Sequence, residues 1–534
     1  MKKFFIKLKN IILNVFSKLK AIFFGIVETT NEHVDEGSDF TQDSDWESDS
    51  DNQVVITDDS SDVNGSDGGS DLFESDNVEP EPEFVEDTDN EPFDKNHVKR
   101  GELGGYVLYD KTKAKIDSAF VANVEKLGVE ILYINTPREK SRPGTFLQFN
   151  DWWEIFETFR NSNIKIMLYV YETLSSKDSE TNFIYRVGWS DDQKKRIAKH
   201  PSFYGWIGED EVSNTTINGS HKWITQFHAQ KWSDGTRKWP NLSVCYFPKV
   251  ERLMKINAIG KTPEEYMDYL EKWAPYIDIA LSDMYPIKNT TKNGAHYNIN
   301  EDGVEVWSNV SGGEYWYGYL RDHLEFINNH PELIHRFYLH TCKHVAKDDN
   351  GKLYIAKSKP THLSLSAQSY ANLMAGSNGL MFFLFSDIVT YDENGNALGG
   401  FTEAAFNDKF EINPSTYNMM EEFYTSEKFK NYKNIMVNLH PDSIDAYKNE
   451  TIREDDNFIK SISENGEVLV GVAHNEKYEY CTILNLSLTE KITVVLKDGS
   501  YIMNLENSTI TNSHEEKEYE IEPCDIMMIK RPII

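Results

Sequence analysis

Cysteine is scarce: Cys245, Cys342, Cys481 and Cys524 are the four in 534 residues, with no C-x-x-C spacing between them. Each sits in an apolar, strand-like run, where a reduced buried thiol is expected. Long apolar runs are also missing. No stretch reaches the ~18 uncharged apolar residues that a membrane span needs. No G-x-G-x-x-G and no P-loop follows an apolar run, which argues against nucleotide binding. Lys and Arg are absent between Asp35 and Asp94, where 23 acidic residues stand among Ser, Asn and Gly. That stretch carries most of the net charge of −32. With so few apolar side chains and such self-repulsion it cannot offset its ordering entropy, so residues 29–98 read as a disordered acidic linker. It would repel phosphates, which excludes nucleic acid as its partner.

Residues 1–28 have a different character. Phe4, Leu8, Ile11, Ile12, Val15, Phe16, Leu19, Ile22 and Phe23 recur at three- and four-residue spacing, with Lys3, Lys7, Asn10, Asn14, Ser17 and Lys18 largely opposite. This is the pattern of a basic amphipathic helix. It suits a membrane surface or the groove of a protein assembly, and hence a surface- or particle-associated protein. Lysines interrupt the apolar run and no A-x-A-like cleavage site follows, so a secretory signal is the weaker reading.

From residue 99 to 411, short apolar runs alternate with helical stretches. The runs are 105–109, 129–135, 164–171, 203–207, 242–247, 277–283, 336–341 and 379–385. Eight such units predict a (β/α)8 TIM barrel, an α/β fold, rather than an open doubly wound sheet. Residues 412–534 carry one more helix, near 417–424, and then short strands separated by turn signals such as Asn465-Gly466 and Asp498-Gly499. They predict a small antiparallel β-sandwich. Barrel chemistry sits at the C-terminal ends of the strands. That rule selects Asn135, Glu172, Glu209 to Glu211, Asp283 with Tyr285, His340 with Cys342, and Asp387. Clustered strand-end carboxylates beside aromatic rings suit general acid/base work on sugars. The bland reading of Glu209 to Glu211 is an acidic loop ahead of a helix capped by Ser213 or Asn214.

The run H-P-S-F-Y-G-W, His200 to Trp206, followed by Asp210-Glu211, resembles the fourth-strand motif of glycoside-hydrolase-like TIM barrels, most nearly family 42 β-galactosidase relatives. Those read G-W-x-x-x-D-E-P; here Val212 replaces the proline. Asp278 to Pro286 resembles their sixth-strand D-x-x-x-x-D-x-Y-P, and Ser369 to Phe383 resembles their last helix and strand. The resemblance implies Glu211 as general acid/base, with Asp210 beside it raising its pKa. Clan A retaining enzymes keep a nucleophilic glutamate at the end of the seventh strand, whereas this strand runs Leu339-His340-Thr341-Cys342-Lys343-His344. Asp283 is the best second carboxylate, with Glu172 next; otherwise the barrel binds sugars without hydrolysing them. Asp210, Glu172, Trp206, Tyr285, Trp316 and Asp387 are the expected glycan-contacting residues. For Asp387 a capping role competes; Phe385 is a further stacking platform for which barrel-core packing competes. His340, Cys342 and His344 alternate but lack a fourth ligand, so neither metal nor cofactor is expected. Two functions follow. One is an O-glycosyl hydrolase. The other is a non-catalytic carbohydrate-binding adhesin, or a virion- or envelope-associated structural protein with a degenerate barrel.

Overall fold

The computed structural model of the protein describes residues 100–533, apart from 137–146, 171–175, 178–183, 187, 210–216, 247–262, 284–313, 348–352, 358, 392–396, 449–451, 453–455, 465 and 513–516. The predicted amphipathic helix and acidic linker lie outside the described residues. Among the described residues no helix is long and apolar enough to cross a membrane.

Eight parallel strands close into a barrel: Glu102–Leu108, Ile131–Asn135, Lys165–Tyr169, Phe203–Glu209, Leu242–Tyr246, Ile279–Asp283, Ile334–His340 and Gly379–Phe383, the first pairing with the last. A helix follows every strand, from Ser118–Lys126 to Pro414–Tyr424. The helix starts are written locally. Asp117 accepts from the Phe120 amide, Ser190 and Gln193 form a capping box, and Thr361 and Ser364 form another. Each satisfies amides that the first helical turn leaves without partners.

Strand residues alternate between two cores. Tyr106, Ile131, Tyr133, Met167, Tyr169, Tyr204, Ile207, Cys245, Ile279, Leu281, Tyr338 and Met381 fill the lumen. Val107, Leu132, Leu168, Trp206, Val244, Ala280, Leu339 and Phe382 pack outward on the helices. Gly104 leaves room inside the first strand, where a Cβ would overlap the Met381 sulfur. At the lumen's N-terminal end, the floor, Arg336 donates to Glu102 and to the Tyr204 hydroxyl. That hydroxyl in turn donates to Glu102 Oε2 at 2.7 Å. Three strands far apart in the chain are joined by this one buried network.

A four-stranded antiparallel sheet grows from the chain just past the seventh and eighth strands: Lys343–Lys347, Leu353–Lys357, Ile388–Tyr391 and Ala397–Thr402. The sequence pattern did not announce it. The C-terminal region is a six-stranded and a three-stranded antiparallel sheet sharing one core, in which Val468, Val470, Cys481 and Ile529 meet Ile459, Ile492, Val494 and Ile521. Its first strand, His440–Lys448, and the preceding helix, Glu427–Met436, were not expected. The helix His362–Met374 lies between barrel and sandwich and is buried throughout from Ser364 onward. Ser366 donates to the Cys524 carbonyl at 3.0 Å on one side. On the other, the Gln368 side chain accepts the His340 amide at 3.0 Å.

Candidate active site at the barrel mouth

Among the described residues, the mouth is built from side chains near the C-terminal ends of the first, second, sixth, seventh and eighth strands. Asp283 ends the sixth strand and is 5% exposed. Ile279 and Leu281 point into the lumen, so the period of two turns Asp283 the same way. Its register partner on the seventh strand is Tyr338. His340 follows two residues later, fully buried, opposite Phe383 of the eighth strand. Across the ring, Asn135 donates to the Tyr106 hydroxyl at 2.6 Å. Its Oδ1 accepts the Thr136 amide. The Phe383 ring packs on both Tyr106 and Tyr338, with centroids 5.7 and 6.3 Å away. An acid, an amide, an imidazole and three aromatic rings therefore converge at one end of the lumen. Such a set can bind hydroxyl groups, stack a sugar face and move a proton.

Of the residues picked from sequence, Asn135, Asp283 and His340 lie in this group. Glu209 is the last residue of the fourth strand. Asp210 and Glu211, the next two, lie outside the described residues, as do Glu172 and Tyr285; Trp316 falls in the helix Glu314–Asn329, but its side chain is likewise not described.

Trp206 requires correction as a sugar platform. Its ring is fully buried on the outer face of the fourth strand, 5.1 Å from Phe203 and 5.0 Å from Trp239. A ring enclosed by core on the helix side of the sheet offers no face to a ligand. Asp387 is a brace. Its Oδ1 accepts the Ala404 amide at 2.8 Å and its Oδ2 the Asn413 side chain at 3.3 Å, fixing the segment that leads into the helix Pro414–Tyr424. Burial pushes its carboxyl up to about 6, with Asp408 adding repulsion.

The motifs divide by position along their strands. His200 sits below the fourth strand, edge-on to Trp153 and Phe156, and burial lowers its pKa to about 4. Tyr204 belongs to the floor network. In the sixth-strand motif, Asp278 accepts two bonds from Arg237 Nη1 at 2.7 and 2.8 Å and receives the Leu242 amide, at the opposite end from Asp283. Just past the seventh strand, the Cys342 thiol faces the Phe383 carbonyl at 3.8 Å, and His344 stacks on Phe401 at 4.3 Å in the added sheet. Sequence reasoning picked Asn135 but missed Tyr338 and Tyr106; the alternation of Arg336, Tyr338 and His340 could have shown the first.

No protein-family model matches the chain, and no curated protein matches it. Among solved structures it is similar to a β-galactosidase from Bacillus circulans sp. alkalophilus, at 10% identity and a TM-score of 0.43 over 81% of this chain and 99% of that one. It is also similar to Amy13B of Eubacterium rectale, at 9% identity and 0.42 over 82% and 96%. A third is an endo-β-1,4-mannanase from Thermotoga petrophila, at 12% and 0.35 over 82% and 99%. The fold itself rests on the closed sheet of this chain. It is a TIM barrel with a C-terminal β-sandwich.

Proposed function

We propose that the protein acts on a glycan at the C-terminal mouth of the barrel, as an O-glycosyl hydrolase with Glu211 as general acid/base and Asp283 as the second carboxylate. The observation that carries this reading is Asp283: a buried carboxylate on a lumen-facing position at the open end of the sixth strand. The fourth strand ends in Glu209 at the same mouth, and its sequence continues directly into Asp210 and Glu211. Glycosidic cleavage needs one carboxyl group to protonate the leaving oxygen and a second to act as nucleophile or to activate water. A separation of about 5 Å between them gives retention and about 6.5–9.5 Å gives inversion. Glu172, Asp210, Tyr285 and Trp316 are the further glycan contacts in this reading.

The test is turnover of a panel of aryl glycosides and oligosaccharides by wild type, Glu211→Gln and Asp283→Asn. Loss of an acid/base group lowers kcat by about 10²–10⁴-fold. Equal turnover by wild type and Glu211→Gln removes that residue from the mechanism. A second reading has its own observation: the seventh strand ends in His340, and no carboxylate stands where a retaining nucleophile is expected. In that reading the mouth holds a sugar without cleaving it. Saturable glycan binding with no turnover by wild type decides for it.

A further inference from the structure

We propose that His440, Asp442 and His474 bind a divalent transition ion, Zn²⁺ foremost, at the edge of the sandwich where it meets the barrel. His440 and His474 are direct cross-strand partners on the strands His440–Lys448 and Glu467–His474. Their ring centroids are 5.1 Å apart. Asp442 is the extra residue of a β-bulge: Pro441 faces Ala473 and Ser443 faces Val472, which leaves nothing opposite it in the ladder. Bulges re-aim side chains in this way. Both Asp442 oxygens lie 2.8 Å from His474 Nδ1, and Oδ1 lies 3.5 Å from His440 Nδ1. One donor atom from each residue falls within 4.8 Å of the others, and among the described residues this is the one group of three or more such side chains that does so.

Zinc takes nitrogen at about 2.0–2.1 Å and carboxylate oxygen at about 2.0–2.2 Å in a tetrahedron, which sets its ligand atoms roughly 3.4 Å apart. The carboxylate already stands 2.8 Å from one imidazole nitrogen and 3.5 Å from the other, close to that spacing. Two imidazoles and a carboxylate select zinc and its transition-metal neighbours over the oxygen-seeking Ca²⁺ and Mg²⁺. All three side chains are partly exposed, which gives an entry path. Both imidazoles line a cavity of about 430 Å³ whose other lining residues are mixed polar and apolar, among them Arg100, Leu333, His335 and Met436. The ion would pin the first two strands of the six-stranded sheet together beside Pro441, whose carbonyl accepts the Asn328 side chain of a barrel helix at 3.0 Å. This proposal is independent of the chemistry at the mouth.

The experiment is Zn²⁺ titration by calorimetry of the untagged, chelator-treated full chain, with Co²⁺ absorption as the spectroscopic check. One high-affinity Zn²⁺ per chain, a higher thermal midpoint with Zn²⁺ and a tetrahedral Co²⁺ spectrum are expected. His474→Ala should weaken binding by at least about a hundredfold, more than loss of an outer-shell partner does. Asp442→Asn, which keeps size and shape, should also weaken it, and serves if the alanine variant does not fold. Absence of Zn²⁺ binding by wild type, or wild-type affinity in Asp442→Asn or in folded His474→Ala, overturns the proposal.

Discussion

At the floor of the barrel Glu102 is enclosed by Arg336 and the Tyr204 hydroxyl, with Arg336 wholly out of solvent. At the mouth Asp283 ends its strand beside Tyr338, where the chain leaves the sheet for its connecting loops. Both carboxylates lie in the same lumen. The first meets its cation on the sheet itself, so its role is complete once the barrel has closed. The second stands where loops supply the remaining groups, the end at which barrel enzymes place their chemistry. The two ends of one lumen thus give an acid different surroundings, the sheet itself at the floor and the connecting loops at the mouth.

Substitutions can break that comparison. The largest expected effect belongs to the mouth: the drop in turnover in Glu211→Gln, about 10²–10⁴-fold, should come without loss of the thermal midpoint. Next is the floor. Arg336→Met leaves the Glu102 carboxylate buried without its cation, and the denaturant midpoint should fall by the equivalent of about 3–5 kcal/mol. Asp283→Asn should do the reverse, sparing stability and costing activity. If the two variants exchange phenotypes, the assignment of roles to the two ends is wrong. Trp206→Ala should cost about 3–5 kcal/mol from the cavity it leaves, with no specific effect on glycan affinity in the folded fraction.

The smallest effect is a pH dependence at Asp387. Its folded pKa, about 6, lies above the unfolded value, so between pH 4 and 6 the native state holds more protons than the unfolded one. Stability from this group is therefore full at the acid end, falls as pH rises through that window, and stays reduced above it. Asp387→Asn should remove a pH dependence worth at most about 3 kcal/mol across that window. Denaturation curves at pH 4, 5, 6 and 7 measure it, and an unchanged slope in the variant would show that the carboxyl does not titrate there.

The barrel was legible because each parallel strand is a short apolar run followed by helical spacing, and all eight fall within a few residues of their expected places. That same property hid which residues face the lumen. Phe203 to Ile207 is apolar on both faces, as strands covered on two sides are, and a register irregularity at Tyr204 turns Trp206, two residues on, to the opposite face, which a strict period of two would not predict. The fourth-strand motif thus proves partly scaffold: His200 and Trp206 pack against helices while Tyr204 secures the floor. The Glu102–Arg336 pair escaped notice because 234 residues separate its members. The strands Lys343–Lys347 and Leu353–Lys357 were missed because Lys-His-Val-Ala-Lys and Leu-Tyr-Ile-Ala-Lys are too short and too polar to register as a pattern. The His440–Asp442–His474 cluster depends on a bulge in a strand that the sequence did not reveal at all.

The helix His362–Met374 has neighbours on every side from Ser364 onward, which ordinary barrel helices, with one wet face, do not. Cutting the polypeptide after the barrel would strip one whole flank from it and leave a greasy scar on what remained. The same cut would slacken the rod whose Gln368 tip holds the backbone at His340. The C-terminal sheets are in this sense the outer wall of the seventh unit of the barrel, and the two halves should melt as one.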